Sequence, residues 1–359
     1  MIVADFAISR YRYIIGVAVR LAVDLGLHSE DTNSEFEEPR DQSNNSDDKG
    51  RKQWYRDLRR RLWWCVYSLD RLVSTCVGRP FGITDQVVTT EFPSVLDDQY
   101  ITTNGFSEDP DHADSPTYKL IAQHYFRLRL LQSEILQVLQ HRQAERARAL
   151  GTNCRNAFIH KHLISPFMGK FSSFQDWRMD VDQRLWEWKE SAPRKEEIGV
   201  AFTPLFLELN YWQAVILLYR QSLAVPELLA SFTDTAGVQT VQSPGTVNER
   251  REDEEMVLMK VAQAGQTVLK LYRQLHRLQL VNYTYLATHH LFMCGKWQSP
   301  PSHKAALTFR PRHFLLACHM ALTACPITAD VRRRRLHSVY RHVRAGRSDS
   351  EMSACRSLP

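Results

Sequence analysis

Apolar residues return every three or four positions along most of this chain, and polar stretches separate the runs. That period is the mark of helices with one buried face. Residues 6–28 place Ile14, Val17, Leu21 and Leu25 on one such face, and Gly26 marks the end. Residues 29–52 are rich in Asn, Asp and Ser and read as a loop. A second helix, 53–77, carries Leu58, Leu62, Val66, Leu69 and Val73 in its stripe. Gly78 supplies a left-handed cap, with Pro80 two residues on. Residues 81–94 read as an extended segment and 97–116 as another loop. The longest run, 117–150, aligns Ile121, Tyr125, Leu128, Leu131, Ile135 and Leu139. Further helices are predicted over 171–193, stopped by Pro193, and from about Pro204, with Phe206, Leu209, Trp212, Ile216 and Tyr219 on one face. Two more follow the loop 233–253, over 254–276 and 281–293. No segment has a convincing strand pattern and no repeat of fixed period is visible. The expected class is all-α, a multi-helix domain with long polar loops.

Composition supports a globular body: 43% of the 359 residues are hydrophobic and 24% charged. No apolar run approaches the roughly 20 residues of a bilayer span, so no membrane partner is expected. The start lacks a secretory signal pattern. Seven cysteines without regular spacing point to reduced thiols in the cytosol or nucleus. The net charge of +6 is unevenly placed. Residues 294–359 hold 12 basic against 3 acidic residues, a balance of +9, and four of the cysteines; residues 1–293 hold 34 against 37, a balance of −3. Two parts are expected: a helical domain over 1–293 and an atypical basic segment over 294–359. The first has no global electrostatic footprint for nucleic acid.

Candidate chemistry is sparse. There is no C-x-x-C, and Cys65 and Cys76 fall on the second helix, where thiols pack as small core residues. Cys318 and Cys325 lack the close ligand pairs of a zinc site. The acidic clusters at Asp97–Asp98 and Asp109–Asp114 bring metal-bound diphosphate chemistry to mind, but both lie in loops and read as solvated charge. His289 and His290 are adjacent, about 100° apart on a helix, and do not converge on one metal. No P-loop, dinucleotide fingerprint or nucleophile elbow occurs. No catalytic, cofactor or metal set is found, and an enzyme is not expected.

One stretch, "RRRLWWCVYSLDRLVSTCVGRPFGITD" from Arg59, mixes cations and aromatics as a nucleic-acid surface would. Its apolar residues favour a core helix with a charged rim instead, and Asp57 and Arg61 are spaced to pair. The stretch resembles the signature of the fungal-specific transcription factor domain, the middle homology region of fungal Zn2Cys6 regulators. The matching positions are Arg61, Trp63, Trp64, Tyr67, Asp70, Arg71, Gly78, Arg79, Pro80, Ile83, Thr84 and Asp85. "AVRLAVDLGLH" from Ala18 matches the helix that precedes the signature in that family. The resemblance implies a nuclear, non-catalytic regulatory domain downstream of a DNA-binding zinc cluster, with the signature as a structural and regulatory hallmark.

The six-cysteine cluster of the family is not in this sequence, and no coiled-coil segment precedes the helices. The expectation is a truncated regulator without its own DNA-binding domain, with zinc only where such a cluster exists. It would reach DNA indirectly or non-specifically, through the transcription machinery or a full-length related regulator. Its genes would belong to a catabolic pathway or a secondary-metabolite cluster. The break in character at Cys294 suggests a frame change or retained intron, against a genuine diverged tail. Arg332, Arg333, Arg334 and Arg335 form a candidate nuclear-import signal or phosphate contact. Two other readings are a helical module that senses a small-molecule effector and, far behind, a diphosphate-using enzyme working through Asp97 and Asp98.

Overall fold

The structure is a computed structural model that describes residues 2–30, 46–107, 116–151, 165–219, 244–281 and Ala287. The helices are α1 (Ile2–Asp24), α2 (Ser46–Val77), α3 (Lys119–Ala149), α4 (Phe174–Glu190), the single turn α5 (Lys195–Ile198), α6 (Leu205–Tyr219) and α7 (Pro244–Arg277). Two short 3₁₀ turns, Asp85–Val87 and Asp98–Tyr100, lie between α2 and α3. Among the described residues the all-α expectation holds with one exception. Ile101–Thr102 and Gly105–Phe106 pair antiparallel as a minimal hairpin, in the stretch read as loop. α2 starts seven residues earlier than its apolar stripe suggests, and α7 ten residues earlier. In both cases two to three polar turns extend the helix at its start without contributing to the stripe.

The chain separates into two compact units, 1–272 and 273–359. In the first, α3 lies at the centre and packs on α2, α4 and α6, while α1 packs on α2. Its predicted stripe is inward: Ile121, Leu128, Ile135 and Leu139 are buried, and Tyr125 and Leu131 partly so. α4 begins at Ser173, whose hydroxyl accepts the Asp176 backbone N–H at 3.1 Å. It buries Trp177, Val181, Leu185 and Trp188. Val257, Val261, Ala264 and Val268 are buried along α7, and Lys260 of the same helix pairs with Asp182 of α4. In the second unit the described residues end α7 and turn, with the Leu280 N–H on the Leu275 carbonyl. The helix predicted over 281–293 lies outside the described residues except for Ala287, which is helical. The basic segment from Cys294 lies outside them altogether.

The two glycine stops are where the pattern put them. Gly26 and Gly78 have φ of 62° and 71°, and the Ser74 carbonyl accepts the N–H groups of both Gly78 and Arg79, the geometry of a left-handed helix end. The faces of α1 and α2 are not as predicted. On α1 the buried residues are Val19 and Ala22, while Ile14, Val17, Leu21 and Leu25 are exposed. On α2, Val73 is buried and Val66 partly so, but Leu58, Leu62 and Leu69 stand open to solvent. The core side of α2 is aromatic and polar: Trp63, Trp64, Tyr67, Asp70, Arg71 and Ser74. The reason is pairing at a distance. Asp70 and Arg71 bond each other, and their further partners, Gly82, Ile83 and Asp85, arrive only after the chain turns back at Gly78.

Candidate functional site

The core below α1 and α2 is a cluster of rings. Trp64 lies 4.5 Å from Phe92 and 5.5 Å from Phe126, centroid to centroid, and 4.9 Å edge-on from Tyr67. Its indole N–H donates to the Glu91 carbonyl at 2.8 Å. Trp63 is fully buried beside His28 and Tyr67. These side chains weld α2 to the returning segment 81–92, which follows the cap.

Beneath them sits a polar clamp centred on Arg71, which has no exposed surface. Its guanidinium bonds Asp70 at 2.9 Å, Asp85 at 2.7 Å and the Ile83 carbonyl at 2.8 Å. It lies over the Tyr67 ring at 3.9 Å and the Phe81 ring at 4.4 Å, so its flat faces are covered as well as its edges. Asp85 also accepts the Tyr67 hydroxyl at 2.8 Å and the Gln137 amide of α3 at 3.1 Å. Asp70 accepts the Gly82 N–H at 3.3 Å. Burial raises the Asp70 carboxyl above its ordinary range, and Arg71 opposes that shift without cancelling it. Burial also drives the Tyr67 phenol upward, so it stays a donor.

The clamp assembles most of the signature. Tyr67, Asp70, Arg71, Ile83 and Asp85 meet in one network, and Trp63 and Trp64 roof it. Gly78, Arg79 and Pro80 are exposed at the turn. Thr84 begins the first 3₁₀ turn. Arg61 lies at the rim, outside the clamp. The spacing in the signature is therefore the length of chain needed to leave α2, turn, and lay Asp85 back on Arg71.

The three rim arginines answer the question the stretch raised. Arg59 donates to the Leu25 and Gly26 carbonyls at 2.9 and 3.1 Å, stapling α1 to α2. Arg60 takes Glu30 through two 2.6 Å bonds and Glu91 at 2.7 Å. The bond to Glu30, with the nearby charges, holds its guanidinium above its ordinary value. Arg61 pairs with Asp57, as the spacing predicts, at 2.6 Å, and with Asp98 at 2.7 Å. These cations are consumed inside the fold and do not form a phosphate-binding surface.

Two expectations are corrected here. Asp98 is no solvated loop charge: it accepts the Tyr118 hydroxyl at 2.6 Å, Lys119 at 2.9 Å and Arg61. The Tyr118 bond, with the two cations, holds its carboxyl well below the usual carboxylate range. Asp97 accepts the Gln99 N–H and caps the second 3₁₀ turn. Of the two thiols on α2, Cys76 is buried as expected, but Cys65 is exposed. Among the described residues no three His, Cys, Asp or Glu side chains are grouped to hold a metal. Cys318, Cys325, His289, His290 and Arg332–Arg335 lie outside the described residues.

Sequence reasoning missed a second feature. A cavity of about 460 Å³ opens between α3, the end of α4 and α5, lined by His124, Arg127, Glu190 and Arg194 among others. The His124 ring stacks on Trp188 at 4.4 Å, and the Trp188 N–H donates to the His124 carbonyl. Its Nε2 is buried without a hydrogen-bond partner. Burial, helped by Arg127, pushes the imidazole pKa down to about 4. The signal in the sequence was a histidine on the stripe side of α3, which periodicity alone does not separate from core.

An all-α body organised around a buried arginine clamp, with its rim cations spent on its own elements, has the build of a helical regulatory or binding domain. The comparisons name the family. Residues 7–190 match the fungal specific transcription factor domain, and the chain belongs to that family. It is similar to the Positive regulator of purine utilization of Emericella nidulans, 51% identical over 325 residues, which covers 84% of this chain and 30% of that protein. It is also similar to the Pyrimidine pathway regulatory protein 1 of Saccharomyces cerevisiae, 29% identical over 290 residues, 79% of this chain and 25% of that one. The Transcriptional activator protein acu-15 of Neurospora crassa is 26% identical over 222 residues, 62% of this chain and 20% of that protein. The chain spans about a third or less of the length of these curated relatives. No solved structure matches.

Proposed function

We propose that this protein is a transcription regulator of the fungal zinc-cluster class that acts in the nucleus on genes of a catabolic pathway, purine utilization foremost. The observation that carries this is the 51% identity to a positive regulator of purine utilization, over most of this chain. It favours the catabolic over the secondary-metabolite reading. The helical domain serves as a regulatory body and not as the DNA reader, because Arg59, Arg60 and Arg61 are spent on internal partners. The signature residues act by closing the segment after α2 onto α2 and α3. Contacts to DNA and the transcription machinery belong to the whole protein and its partners, and the basic run at Arg332 is the candidate import signal. A chimera tests this: the matched segment of the Emericella nidulans regulator is replaced by this chain in a strain lacking that regulator. Growth on a purine as sole nitrogen source is the expected result. A chimera that accumulates in nuclei without restoring growth overturns the purine assignment.

A second reading, compatible with the first, is supported by the cavity at His124. Its volume suits a small molecule, and its lining carries charges of both signs, Arg127 and Arg194 against Glu190 and Glu197. Regulation by a small-molecule effector would act there. A thermal shift across a panel of purine and pyrimidine bases, lost in Arg127→Ala, supports it; no shift across the panel counts against it.

A further inference from the structure

The apolar stripes that the sequence displays on α1 and α2 face solvent. On α2, Tyr55, Leu58, Leu62, Cys65 and Leu69 follow one another at steps of three, four, three and four, and all are exposed. That is the spacing of a coiled-coil seam. On α1, Ile14, Val17, Leu21 and Leu25 are between 41% and 63% exposed. The helices run antiparallel: Leu25 and Gly26 are held by Arg59, early in α2, while Val19 lies against Gly82, which Asp70 binds from the later half of α2. Both inward sides meet the 82–85 segment, through Val19 of α1 and through Tyr67 and Arg71 of α2. With that segment below the pair, the two rows lie together on the opposite face. They border one apolar groove, uncovered among the described residues.

The charge around this groove is one-sided. Arg51 continues the α2 row four residues before Tyr55, and Lys52 stands beside it; both are exposed, and neither has an ion pair among the described residues. Of the exposed charged side chains described on α1 and α2, six are basic: Arg12, Arg20, Lys49, Arg51, Lys52 and Arg56. One is acidic, Asp24, and it is paired with Arg20. The other acids described on these helices, Asp57 and Asp70, are buried. Four of the five cations left over are near the start of α2. The groove is therefore greasy along its length and positive at one end.

We propose that this face docks an amphipathic helix of a second protein, whose apolar seam fills the groove and whose flanks carry Asp or Glu, with acids opposite Arg51 and Lys52. The seam spacing calls for a helix, because only another helix presents knobs at the same steps. The row from Tyr55 to Leu69 is about 21 Å long, so the docked helix needs about four turns. The cations call for acids on its flanks, since complementary charge selects and orients a partner. Other occupants answer half of the surface. Nucleic acid would pair with the cations and leave the leucines wet. A lipid surface favours cations spread along the helix flank, and here they gather at one end. A second copy brings the same cations and no acid to meet them. Residues 31–45 hold Asp31, Glu35, Glu37, Glu38 and Asp41, but Phe36 is their one large apolar residue, too little to cover two rows. The proposal does not depend on which genes the protein controls.

Two labelled synthetic peptides of about 21 residues, three heptads, serve as probes, each with Leu at a and d and with either Glu or Lys at e and g. Like charges at e and g keep each peptide from pairing with itself. Fluorescence anisotropy against the full 359-residue chain is expected to show micromolar binding of the Glu peptide. The Lys peptide is expected to bind at least about tenfold more weakly, and the gap to narrow in high salt. Arg51→Glu combined with Lys52→Glu is expected to reverse that order. Leu21→Glu and Leu62→Glu, one on each row, are each expected to weaken the Glu peptide by about 100-fold or more. Circular dichroism of both variants is expected to be unchanged, because these side chains are already half exposed. Met259→Glu, exposed on α7, is expected to leave binding as it is. Equal binding of the two peptides, or none at about 100 µM, overturns the proposal. So does a wild-type dimer that dissolves in Leu62→Glu, which makes a second copy the occupant. Binding to phosphatidylserine vesicles in place of the Glu peptide gives the face to lipid, and Glu-peptide binding only after deletion of residues 31–41 gives it to that acidic loop; either result overturns the proposal.

Discussion

Arg71→Met is the sharpest test of the clamp. The substitution keeps most of the apolar stem and removes the charge. Asp70 and Asp85 then lose bonds at 2.9 and 2.7 Å, the Ile83 carbonyl loses its donor, and the Tyr67 and Phe81 faces lose their cation. Two carboxylates are left in a buried site without their guanidinium. Breaking a buried pair from one side costs about 3–5 kcal/mol, a large part of the ~5–15 kcal/mol that holds a typical domain together. Part of that loss can be relieved by protonation. The Asp70 carboxyl already has a raised pKa from burial, and losing Arg71 raises it further. A raised carboxyl pKa means that the folded state binds its proton more tightly, so stability is gained as pH falls through the folded value. The deficit of Arg71→Met should therefore shrink as pH is lowered from neutral toward the carboxylate range. Urea unfolding followed by tryptophan fluorescence at several pH values measures both effects. Pairing with Asp85→Asn in a double-mutant cycle isolates the direct term, because removing Asp85 first should reduce the cost of removing Arg71. A variant within about 1 kcal/mol of wild type at pH 7, or a cycle with no coupling, refutes the clamp as the element that holds the 81–85 segment.

Three further outcomes follow from particular contacts. Gly50→Ala places a methyl on α2 where the Asn104 carbonyl of the small hairpin passes; overpacking there should cost about 1–3 kcal/mol and loosen residues 101–106, seen as faster amide exchange in that hairpin. Trp64→Ala, with Trp64 in contact with Phe92 and Phe126, should cost about 3–5 kcal/mol in urea unfolding. His124 has its pKa pushed down to about 4, so the fold favours its neutral form and loses stability as pH falls from about 6.5 toward 4. His124→Phe keeps the stack on Trp188 and should remove that part of the acid slope, read as melting temperature against pH.

The helices were legible because each carries enough apolar residues at the right period to be seen without a partner. Their ends at Gly26 and Gly78 were legible because a left-handed residue is a local matter. The inward side of α1 and α2 was not. On α1 the core takes the small residues Val19, against Gly82, and Ala22, in the cluster with Trp63, Trp64 and Tyr67 of α2, while the larger Leu and Ile side chains form the more conspicuous row outside. On α2 the buried side carries Asp70 and Arg71, which any count of hydrophobicity places in water. Their burial depends on Asp85, Ile83 and Gly82 arriving from beyond the turn, with Gln137 and Ser133 from α3.

The signature was recognisable as a string of residues, but its arrangement was not. Arg61 and Arg71 are ten residues apart and chemically alike, yet one is a rim ion pair and the other a buried hub. What the amino-acid order determined alone is the class: amphipathic helices, their caps, and polar connections that cannot bury themselves. What only the tertiary structure decided is which charges are desolvated and which apolar rows remain open. Both depend on groups distant in the chain meeting in space, and a charge or a leucine has no fixed side until its partner is in place.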